Sequence, residues 1–148
     1  MSSQIDLEVL SPIELRRSAK ALITAADRVL LIRERHADGA TFWTLPGGGL
    51  CANETYQDAL SRELAEELLC RATIDDPLTE LWYAHKSTSN KVSRCRVFRC
   101  TPLSSMRPNL VEGVLEHRWV RPNDLPPDTL LPIRYLIENR VTDAMSTP

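Results

Sequence analysis

The sequence predicts an α+β fold in which a mixed β-sheet lies between helices, as an α/β/α sandwich. Three observations predict it. A helical stretch over residues 55–69 carries leucines at i, i+4 and i+8, namely Leu60, Leu64 and Leu68. Short stretches with strand-like composition lie on both sides of it, and a second helical stretch over residues 133–143 closes the chain. Strands around a central helix, followed by another helix, are typical of a layered α+β domain.

Length and composition suit one soluble domain over residues 1–148. Apolar residues make up 43% and charged residues 26%, and a net charge of −2 predicts no extended nucleic-acid surface. No apolar run approaches the ~20 residues of a membrane helix, and the N-terminus lacks the features of a signal peptide. Four cysteines without C-x-x-C spacing favour reduced thiols over a zinc site. We therefore expect a cytoplasmic protein that does not bind membranes.

The N-terminal part of the chain is expected to supply the first strands. A short helix could begin at Ser11–Pro12, with Glu14 in its first turn, as an arm or as part of a homodimer contact. Ser18–Thr24 is interpreted as a strand, and Val29–Arg33 as its hairpin partner through a turn at Asp27–Arg28. Further strands are predicted at residues 42–45, 71–74, 78–86, 91–100 and 114–120, with turns at 38–39, 75–77 and 87–90.

The central helix has a clear start signal after a glycine-rich turn. Pro46 ends the preceding strand, and Gly47–Gly49 allow the backbone to approach a ligand closely. Thr55 can cap the helix with Asp58 three residues on. Glu54 lies at the helix N-terminus, where the helix dipole favours a negative charge. These signals predict that a glycine loop and a helix N-terminus lie side by side.

Three carboxylates of this helix, Glu63, Glu66 and Glu67, share one face, because residues three and four apart are neighbours on a helix surface. Like charges at this spacing destabilise a helix by a few tenths of a kcal/mol per pair. A divalent cation would reverse the sign of that cost, since Mg²⁺ prefers oxygen ligands. The alternative is a solvated acidic face partly neutralised by Arg62, and the triplet by itself favours this alternative.

The spacing around the triplet decides between these interpretations. Residues 48–70 resemble the Nudix box, the signature of the Nudix (MutT-like) hydrolase family, written G-x5-E-x7-R-E-U-x-E-E-x-G-U with U a bulky aliphatic residue. The matching residues are Gly48, Glu54, Arg62, Glu63, Glu66 and Glu67. Six fixed identities at fixed offsets would arise by chance on the order of once in 10⁵ chains of this length. The lead-in Leu45-Pro46-Gly47 is also similar to the family, and the resemblance covers about residues 17–143.

Two positions depart from the box. Leu69 replaces the glycine near the end of the helix, and Cys70 replaces the final aliphatic residue. Glycine there normally supplies a left-handed residue that stops the helix. Leucine in that conformation costs roughly 1–2 kcal/mol. We therefore expect the helix to end differently or to run slightly longer.

The resemblance implies a hydrolase that cleaves the diphosphate linkage of a nucleoside diphosphate joined to another moiety, NDP-X. It implies Mg²⁺ as the cofactor, with Mn²⁺ as an alternative, and a small nucleotide as the partner. The implied metal ligands are Glu63, Glu66 and Glu67 with the carbonyl of Gly47. Arg62 is expected to pair with a box carboxylate and to orient it. A diphosphate repels hydroxide, so cations at this place would make chemical sense.

The carboxylate that deprotonates water stays open among three glutamates. Glu63 belongs to the box helix, whereas Glu112 and Glu116 belong to the later acidic region in which the family commonly carries a further functional glutamate. Geometry inferred from sequence does not separate Glu112 from Glu116.

Substrate-binding candidates come from the strands and from the glycine loop. Arg17 and Arg33 have guanidinium groups that match phosphate oxygens, although each could equally be an exposed strand arginine. Gly48 lets the backbone approach the ligand. Trp43 is a wall of the core or pocket, or alternatively a platform on which a base stacks.

The sequence leaves the substrate class open between nucleoside triphosphates, nucleotide sugars and other NDP-X compounds. Some subfamilies differ at positions that hold His85 and Lys86 here, and neither the ADP-ribose nor the dinucleoside-polyphosphate pattern fits them. The alternative function is a Nudix-fold module that binds a nucleotide as a sensor without cleaving it. Such modules usually lose box carboxylates, and this chain keeps all four, which favours catalysis.

Overall fold

The computed structural model describes residues 12–84 and 90–141, which form eight strands and two α-helices. The strands are β1 (Glu14–Leu22), β2 (Thr24–Ala25), β3 (Arg28–Arg35), β4 (Thr41–Thr44), β5 (Gly47–Gly49), β6 (Ala72–Ala84), β7 (Lys91–Pro102) and β8 (Val114–Val120). The helices are α1 (Tyr56–Leu68) and α2 (Leu131–Leu136); α2 continues as a π-helical turn, Ile137–Val141, and a 3-10 turn, Leu110–Glu112, precedes β8.

The first sheet is mixed, in the order β5-β1-β7-β6. β1 pairs with β7 in parallel from Glu14 opposite Lys91 to Leu22 opposite Arg99. β5 pairs antiparallel with β1, and β6 pairs antiparallel with β7. The strand β5 therefore forms one edge of this sheet, and the glycine stretch is a short strand rather than the predicted turn.

The second sheet is built around β3. β8 pairs along one edge of β3, while β2 and β4 share the other edge, all antiparallel. The chain passes from the first sheet to the second between Leu22 and Thr24. The predicted hairpin partner of Val29–Arg33 was Ser18–Thr24, and this is wrong for most of its length. Only its last two residues reach β3, where Thr24 pairs with Val29 and Ile23 O accepts a hydrogen bond from the Leu30 N–H, because Ser18–Leu22 belongs to the first sheet.

Two hydrophobic cores on opposite sides of the sheets confirm the predicted sandwich. One core contains Leu60, Leu64 and Leu68 of α1 together with Ala19, Ala21, Leu30, Ile32 and Phe98. The other contains Ile133 and Leu136 of α2 together with Leu22, Val29, Leu31, Trp43 and Val97. Alternation along each strand sends neighbouring residues to opposite cores, so both strand faces are apolar where a helix covers them.

The start of α1 is as predicted, and its end is not. Thr55 Oγ1 accepts a hydrogen bond from the Asp58 N–H at 3.0 Å, as in a capping box. The helix ends at Leu68, and Leu69 itself adopts the left-handed conformation, with φ 52° and ψ 39°. The expectation that leucine would alter or extend the helix end is therefore wrong. The Leu69 N–H donates a hydrogen bond to Leu64 O, and this bond holds the end of the helix in place.

Replacing Leu69 with Gly is expected to stabilise the fold by about 1 kcal/mol. The left-handed conformation is roughly 1–2 kcal/mol less costly for glycine, and the greater freedom of glycine in the unfolded chain offsets part of that gain. The Leu69 side chain is exposed, so little packing is lost. The free energy of unfolding in urea measures the effect. Leu69→Ala is the control, because alanine keeps the Cβ that causes the strain; an equal gain in both variants would contradict this explanation.

Two further element predictions need correction. Asp75–Pro77 was predicted as a turn, but β6 is continuous and absorbs Pro77 through register shifts on both sides of it. Proline lacks an N–H, and bulges are where a strand tolerates it. Glu14 begins β1 rather than the first turn of a helix. Ser11, His85, Lys86 and Ser87–Ser89 lie outside the described residues. Within the described ranges no helix is long and apolar enough to span a membrane.

Candidate active site

A cleft of about 210 Å³ lies where β5 meets the end of β3, α1 and the turn before β8. We call it the carboxylate cleft. Its lining residues are Arg16, Glu34, Arg35, Gly47, Gly48, Gly49, Glu63, Glu67 and Glu112. Four carboxylates and two guanidinium groups therefore face one small space. Such an arrangement suits a ligand that carries both metal ions and anionic oxygens.

Glu63 reaches the cleft across Gly48. A Cβ built on Gly48 would lie 2.7 Å from Glu63 Oε1, so the carboxylate occupies the space that any other residue would fill. Burial raises the pKa of Glu63 and outweighs the opposing effect of Arg62. The structure thus places Gly48 in the cleft as predicted, where its lack of a side chain makes room for a carboxylate.

Glu67 is the most buried of the predicted ligands, with 7% of its surface exposed. Its Oε1 accepts a hydrogen bond of 2.7 Å from the Gly47 N–H. Burial raises the pKa of Glu67 to about 9; Lys20 opposes this shift, whereas Glu34 adds to it through charge and a side-chain hydrogen bond. Until a metal ion binds, burial therefore favours the protonated form of Glu67.

Arg62 holds the box carboxylates in position, and the predicted pairing with a box carboxylate is made with Glu54. Its Nε and Nη2 donate to the two oxygens of Glu54 at 2.8 and 3.0 Å. Its Nη1 donates to Glu63 at 3.1 Å and to Glu66 at 3.2 Å, and its Nη2 also donates to Gly49 O at 2.9 Å. The Arg62 hydrogen bonds, together with one from the backbone of residue 51, lower the pKa of Glu54 to about 2. Arg62 is thus a positioning residue.

Lys20 is a cation beneath the cleft, with 8% of its surface exposed. Its Nζ donates to Leu45 O at 3.1 Å and to Gly47 O at 3.3 Å. Burial lowers the pKa of Lys20, but the charges of Glu34 and Glu67 raise it by more, so the net shift is upward. The ammonium therefore stays charged.

The structure distinguishes the two later glutamates that the sequence could not separate. Asn109 docks the loop before β8 onto α1, since its N–H donates to Glu67 O at 2.9 Å and its Nδ2 to Glu66 O at 2.8 Å. This docking brings Glu112 to the carboxylate cleft. Glu116 lies on β8 outside the cleft lining, where it accepts a hydrogen bond from Arg118 at 2.9 Å.

Two of the predicted substrate-binding residues lie outside the cleft lining. Arg17 and Arg33 are absent from it, and their places are taken by Arg16 and Arg35. Arg33 donates instead to Thr41 Oγ1 at 3.1 Å. The physical reason is strand register. Neighbouring residues point to opposite faces, and a register shift between Arg33 and Glu34 changes which side chains of β3 reach the cleft.

Trp43 is a core residue in the structure rather than an open platform. It is 6% exposed and packs in the core on the α2 side. The Arg118 guanidinium lies 4.5 Å from the centroid of its ring. A base could stack on that ring only by displacing Arg118, so the structure favours the predicted core role.

Sequence reasoning missed three residues that line the cleft, Arg16, Glu34 and Arg35, and also Lys20, which binds the backbone of Gly47. One signal was available, because Lys20 is a lone charge inside a strand of small and apolar residues, and such a charge must find partners. Glu34 lay between two arginines at the end of β3, where it could be taken for an ordinary surface charge. The role of Glu34 is visible only in the structure, where the end of β3 comes close to α1.

The donor chemistry of the cleft fits Mg²⁺ or Mn²⁺. Glu63, Glu67, Glu112 and Glu34 line the cleft, and carboxylate oxygens are the hard donors that these ions prefer. Glu66 is bound to Arg62 and does not line the cleft. In the part of the chain that the structure describes, no three acidic, histidine or cysteine side chains form a complete metal cage. Mg²⁺ typically uses one or two carboxylates with waters and substrate phosphates, so an open site is suitable.

Comparison with protein families identifies the fold and the box together. The model of the NUDIX domain matches residues 14–139. The matched region contains all lining residues of the carboxylate cleft as well as the Glu54–Arg62 pair.

Individual proteins agree with this match. A MutT-like protein from Streptomyces ambofaciens is 33% identical over 95 residues, which are 64% of this chain and 57% of that protein. The chain thus spans little more than half of that curated relative. The crystal structure of a MutT protein from Methanosarcina mazei Go1 superposes with a TM-score of 0.77 at 19% identity, covering 94% of this chain and 100% of that one. A UDP-X diphosphatase structure superposes with a TM-score of 0.70 at 20% identity, covering 96% and 69%. At these identities the two structures show the shared fold.

Proposed function

This chain belongs to the Nudix family, and we propose that it is a Mg²⁺-dependent hydrolase that cleaves the diphosphate linkage of an NDP-X compound. One observation carries the proposal: Glu63, Glu67 and Glu112 face Arg16 and Arg35 across a cleft of about 210 Å³. Carboxylates alone would repel a diphosphate, and arginines alone would only bind it. A cleft that presents both is suited to holding a metal–diphosphate complex.

Each side chain has a role that its position supports. Glu63 and Glu67 would hold the metal, and Arg62 with Glu54 keeps the helix carboxylates oriented. Mg²⁺, when bound, supplies positive charge that neutralises the diphosphate. Arg16 and Arg35 would bind phosphate oxygens through their guanidinium groups. Their position makes them better supported for this role than Arg17 and Arg33.

We assign the general base to Glu112. Its carboxylate lines the cleft from the loop that Asn109 anchors, and no residue of α1 restricts it by an ion pair among the described contacts. Glu63, the alternative, is already bound by Arg62. A carboxylate beside the reacting diphosphate can take the proton of the attacking water as the new P–O bond forms and the bridging P–O bond breaks, so that the other phosphate leaves with the bridging oxygen. Glu116 does not line the cleft, and its carboxylate is bound by Arg118.

The substrate class is proposed to be a nucleotide in which the diphosphate joins a nucleoside to a second group. The superposed UDP-X diphosphatase supports a nucleoside diphosphate joined to a second group, and nucleoside triphosphates and nucleotide sugars both belong to this class. The homodimer and the cytoplasmic location predicted from the sequence stay part of this proposal.

A substrate panel tests the proposed activity. Purified protein is incubated with nucleoside triphosphates, nucleotide sugars, ADP-ribose and dinucleoside polyphosphates, and nucleotide release is followed by chromatography. We expect cleavage of one class with Mg²⁺ or Mn²⁺, loss of cleavage with EDTA, and recovery when the metal is restored. Tight binding of one nucleotide without cleavage of any compound would contradict the hydrolase and support the sensor.

A further inference from the structure

We propose that this protein has a second ligand site, which binds a small phosphate monoester with an apolar group and lies at the end of β3 opposite the carboxylate cleft. We call this site the arginine pocket. Arg28, Arg118 and Arg121 line it, and residues 125–127 form an apolar wall beside them. The site lies outside the Nudix box and does not depend on the proposed hydrolysis.

The arginine pocket is large and separate from the carboxylate cleft. Its volume is about 450 Å³, against about 210 Å³ for the cleft, and the two share no lining residue. Arg28 is the first residue of β3, and Arg35, which lines the cleft, is the last. A strand of this length separates their Cα atoms by about 23 Å. Pockets for small molecules typically measure about 300–1,000 Å³, so the arginine pocket has room for a ligand of its own.

The chain that forms the wall of the pocket is anchored on both sides. The Asp124 N–H donates a hydrogen bond to Arg121 O at 2.9 Å and closes a turn directly after β8. The carbonyl oxygen of Pro126 accepts hydrogen bonds from Thr129 Oγ1 at 2.8 Å and from the Arg134 guanidinium of α2. The wall is therefore formed before a ligand arrives, and binding does not have to order it.

Two of the arginines can bind one anion together. The Asp27 carboxylate demonstrates this, because its oxygens lie 3.8 Å from Arg28 Nε and 3.2 Å from Arg121 Nε. Asp27 is not part of the pocket lining, and all three side chains are exposed. Ion pairs between exposed side chains are weak. A doubly charged phosphate group in the pocket can therefore compete with Asp27 for both guanidinium groups.

Arg118 adds a third guanidinium group from β8. It lies 4.5 Å from the centroid of the Trp43 ring, and its Nη2 donates a hydrogen bond to Glu116 at 2.9 Å. A guanidinium carries five N–H donors in a planar fork, so donors are left for a phosphate. Among the described residues that line the pocket, Asp124 is the one carboxylate beside three guanidinium groups. The lining therefore favours an anion.

The rest of the lining indicates the chemical class of that anion. Residues 125–127 are a leucine and two prolines, which place an uncharged surface next to the arginines. Inorganic phosphate would leave this surface in contact with water, whereas a phosphate ester with an apolar group covers it. A phosphate monoester carries nearly two negative charges at neutral pH and three terminal oxygens, which suits three guanidinium groups.

Titration with phenyl phosphate tests the site. Amide chemical shifts of isotope-labelled protein in EDTA show which residues respond, and inorganic phosphate and phenol are titrated in parallel. Arg28→Gln and Arg121→Gln each remove one charge from the pocket, whereas Asp27→Asn removes the competing carboxylate. Arg99→Gln is the matched control, because Arg99 is an exposed arginine of β7 outside both the arginine pocket and the carboxylate cleft.

We expect saturable shifts at residues 118–121 and 124–125 with phenyl phosphate. Phenyl phosphate should bind several-fold more tightly than inorganic phosphate, and phenol should not shift these residues. Arg28→Gln and Arg121→Gln should each weaken binding about tenfold, because each removes charge-assisted hydrogen bonds. Asp27→Asn should tighten binding about threefold, because it removes a weak competing ion pair. Arg99→Gln should keep the wild-type affinity.

Three outcomes would overturn the proposal. Shifts confined to residues 47–49 and α1 would place the ligand in the carboxylate cleft. Wild-type affinity in both pocket arginine variants would show that their charges do not bind the phosphate. Equal affinity for phenyl phosphate and inorganic phosphate would overturn the assigned ligand class. Asp27→Asn gives a further test of opposite sign that keeps every arginine in place, and weaker binding in this variant would contradict the assigned competition.

The titration and the substrate panel have independent outcomes. Because the titration is done in EDTA, binding at the arginine pocket requires neither a metal ion nor cleavage. Saturable shifts there support the second site even if no nucleotide of the panel is cleaved, and cleavage without such shifts supports the hydrolase and overturns the second site.

Discussion

We expect the Glu67→Gln substitution to lower kcat by on the order of 10²–10⁴-fold while the protein stays folded. Glu67 is 7% exposed at the base of the carboxylate cleft, and glutamine has the same shape without the charge that a metal requires. The Gln side-chain oxygen can still accept the hydrogen bond from the Gly47 N–H. Turnover measured with the substrate identified by the panel, at saturating Mg²⁺, checks the loss. Normal turnover would show that Glu67 is not a metal ligand.

The stability of wild-type protein relative to this variant should depend on pH with a definite sign. Burial raises the pKa of Glu67 from 4.5 to about 9 in the folded protein, so the stabilisation gained from its protonated form is complete below about pH 4.5 and is lost progressively as the pH rises from there through 9. In EDTA, the wild-type fold should therefore lose stability over this range relative to the Glu67→Gln variant. Unfolding in urea at several pH values measures the difference. A variant that becomes less stable than wild type as the pH rises would contradict the assigned shift.

The neighbouring glutamates provide matched comparisons within this first prediction. Glu112→Gln should lower kcat with little change in Mn²⁺ affinity, because its assigned role is to accept a proton. Glu116→Gln makes the same change in charge on β8, outside the cleft lining, and should keep wild-type turnover. The reverse pattern would move the general base to Glu116.

Replacing Gly47 with Ala is expected to destabilise the fold by more than ~3 kcal/mol. Gly47 has φ 132°, a backbone conformation that is strained for alanine by about 1–3 kcal/mol. A Cβ at this place would also overlap Ala19 O and lie 2.8 Å from Lys20 Cα. The backbone of β1 is fixed between β5 and β7, so it cannot move aside without loss of pairing. The free energy of unfolding in urea measures the loss.

Gly39→Ala is the control for the backbone conformation alone. Gly39 has φ 89°, and a Cβ there would meet no atom within 4 Å. The Gly39→Ala variant should therefore show only the cost of the positive φ, about 1–3 kcal/mol. The difference between the two variants reports the close approach of β5 to β1. Equal losses in both would contradict the overlap that the structure predicts.

Much of the fold was predictable because local signals and tertiary contacts agree. The leucines of α1, the Thr55 cap and the closing helix all follow from periodicity and helix-start chemistry. The passage of the chain from the first sheet to the second after β1 was not predictable, because a strand pattern does not say which strand will be its neighbour. Gly47–Gly49 likewise carry no side-chain pattern that could reveal β5.

The residues of the site likewise fall into those that local sequence predicts and those that depend on tertiary contacts. The contiguous box fixes Glu63, Glu67 and the Arg62–Glu54 pair by spacing on one helix. Residues that reach the cleft from β1, β3 and the loop before β8 depend on strand register and on loop docking. A shift of one residue turned the prediction of Arg17 into the observation of Arg16, because the side-chain period of a strand is two. Glu112 could be distinguished from Glu116 only once Asn109 was seen to hold its loop.

The parallel pairing of β1 with β7 affects how the chain is made in the cell. Residues 14–22 emerge from the ribosome well before residues 91–99, which must lie beside them. Pairing between distant parts of a chain is slow, because closing the intervening loop costs entropy before contacts repay it. The glutamate-bearing helix is therefore synthesised while one side of β1 still lacks its neighbour. A strand with unpaired backbone groups can pair with other unfolded chains, so β1 is open to aggregation until residues 91–99 have been made.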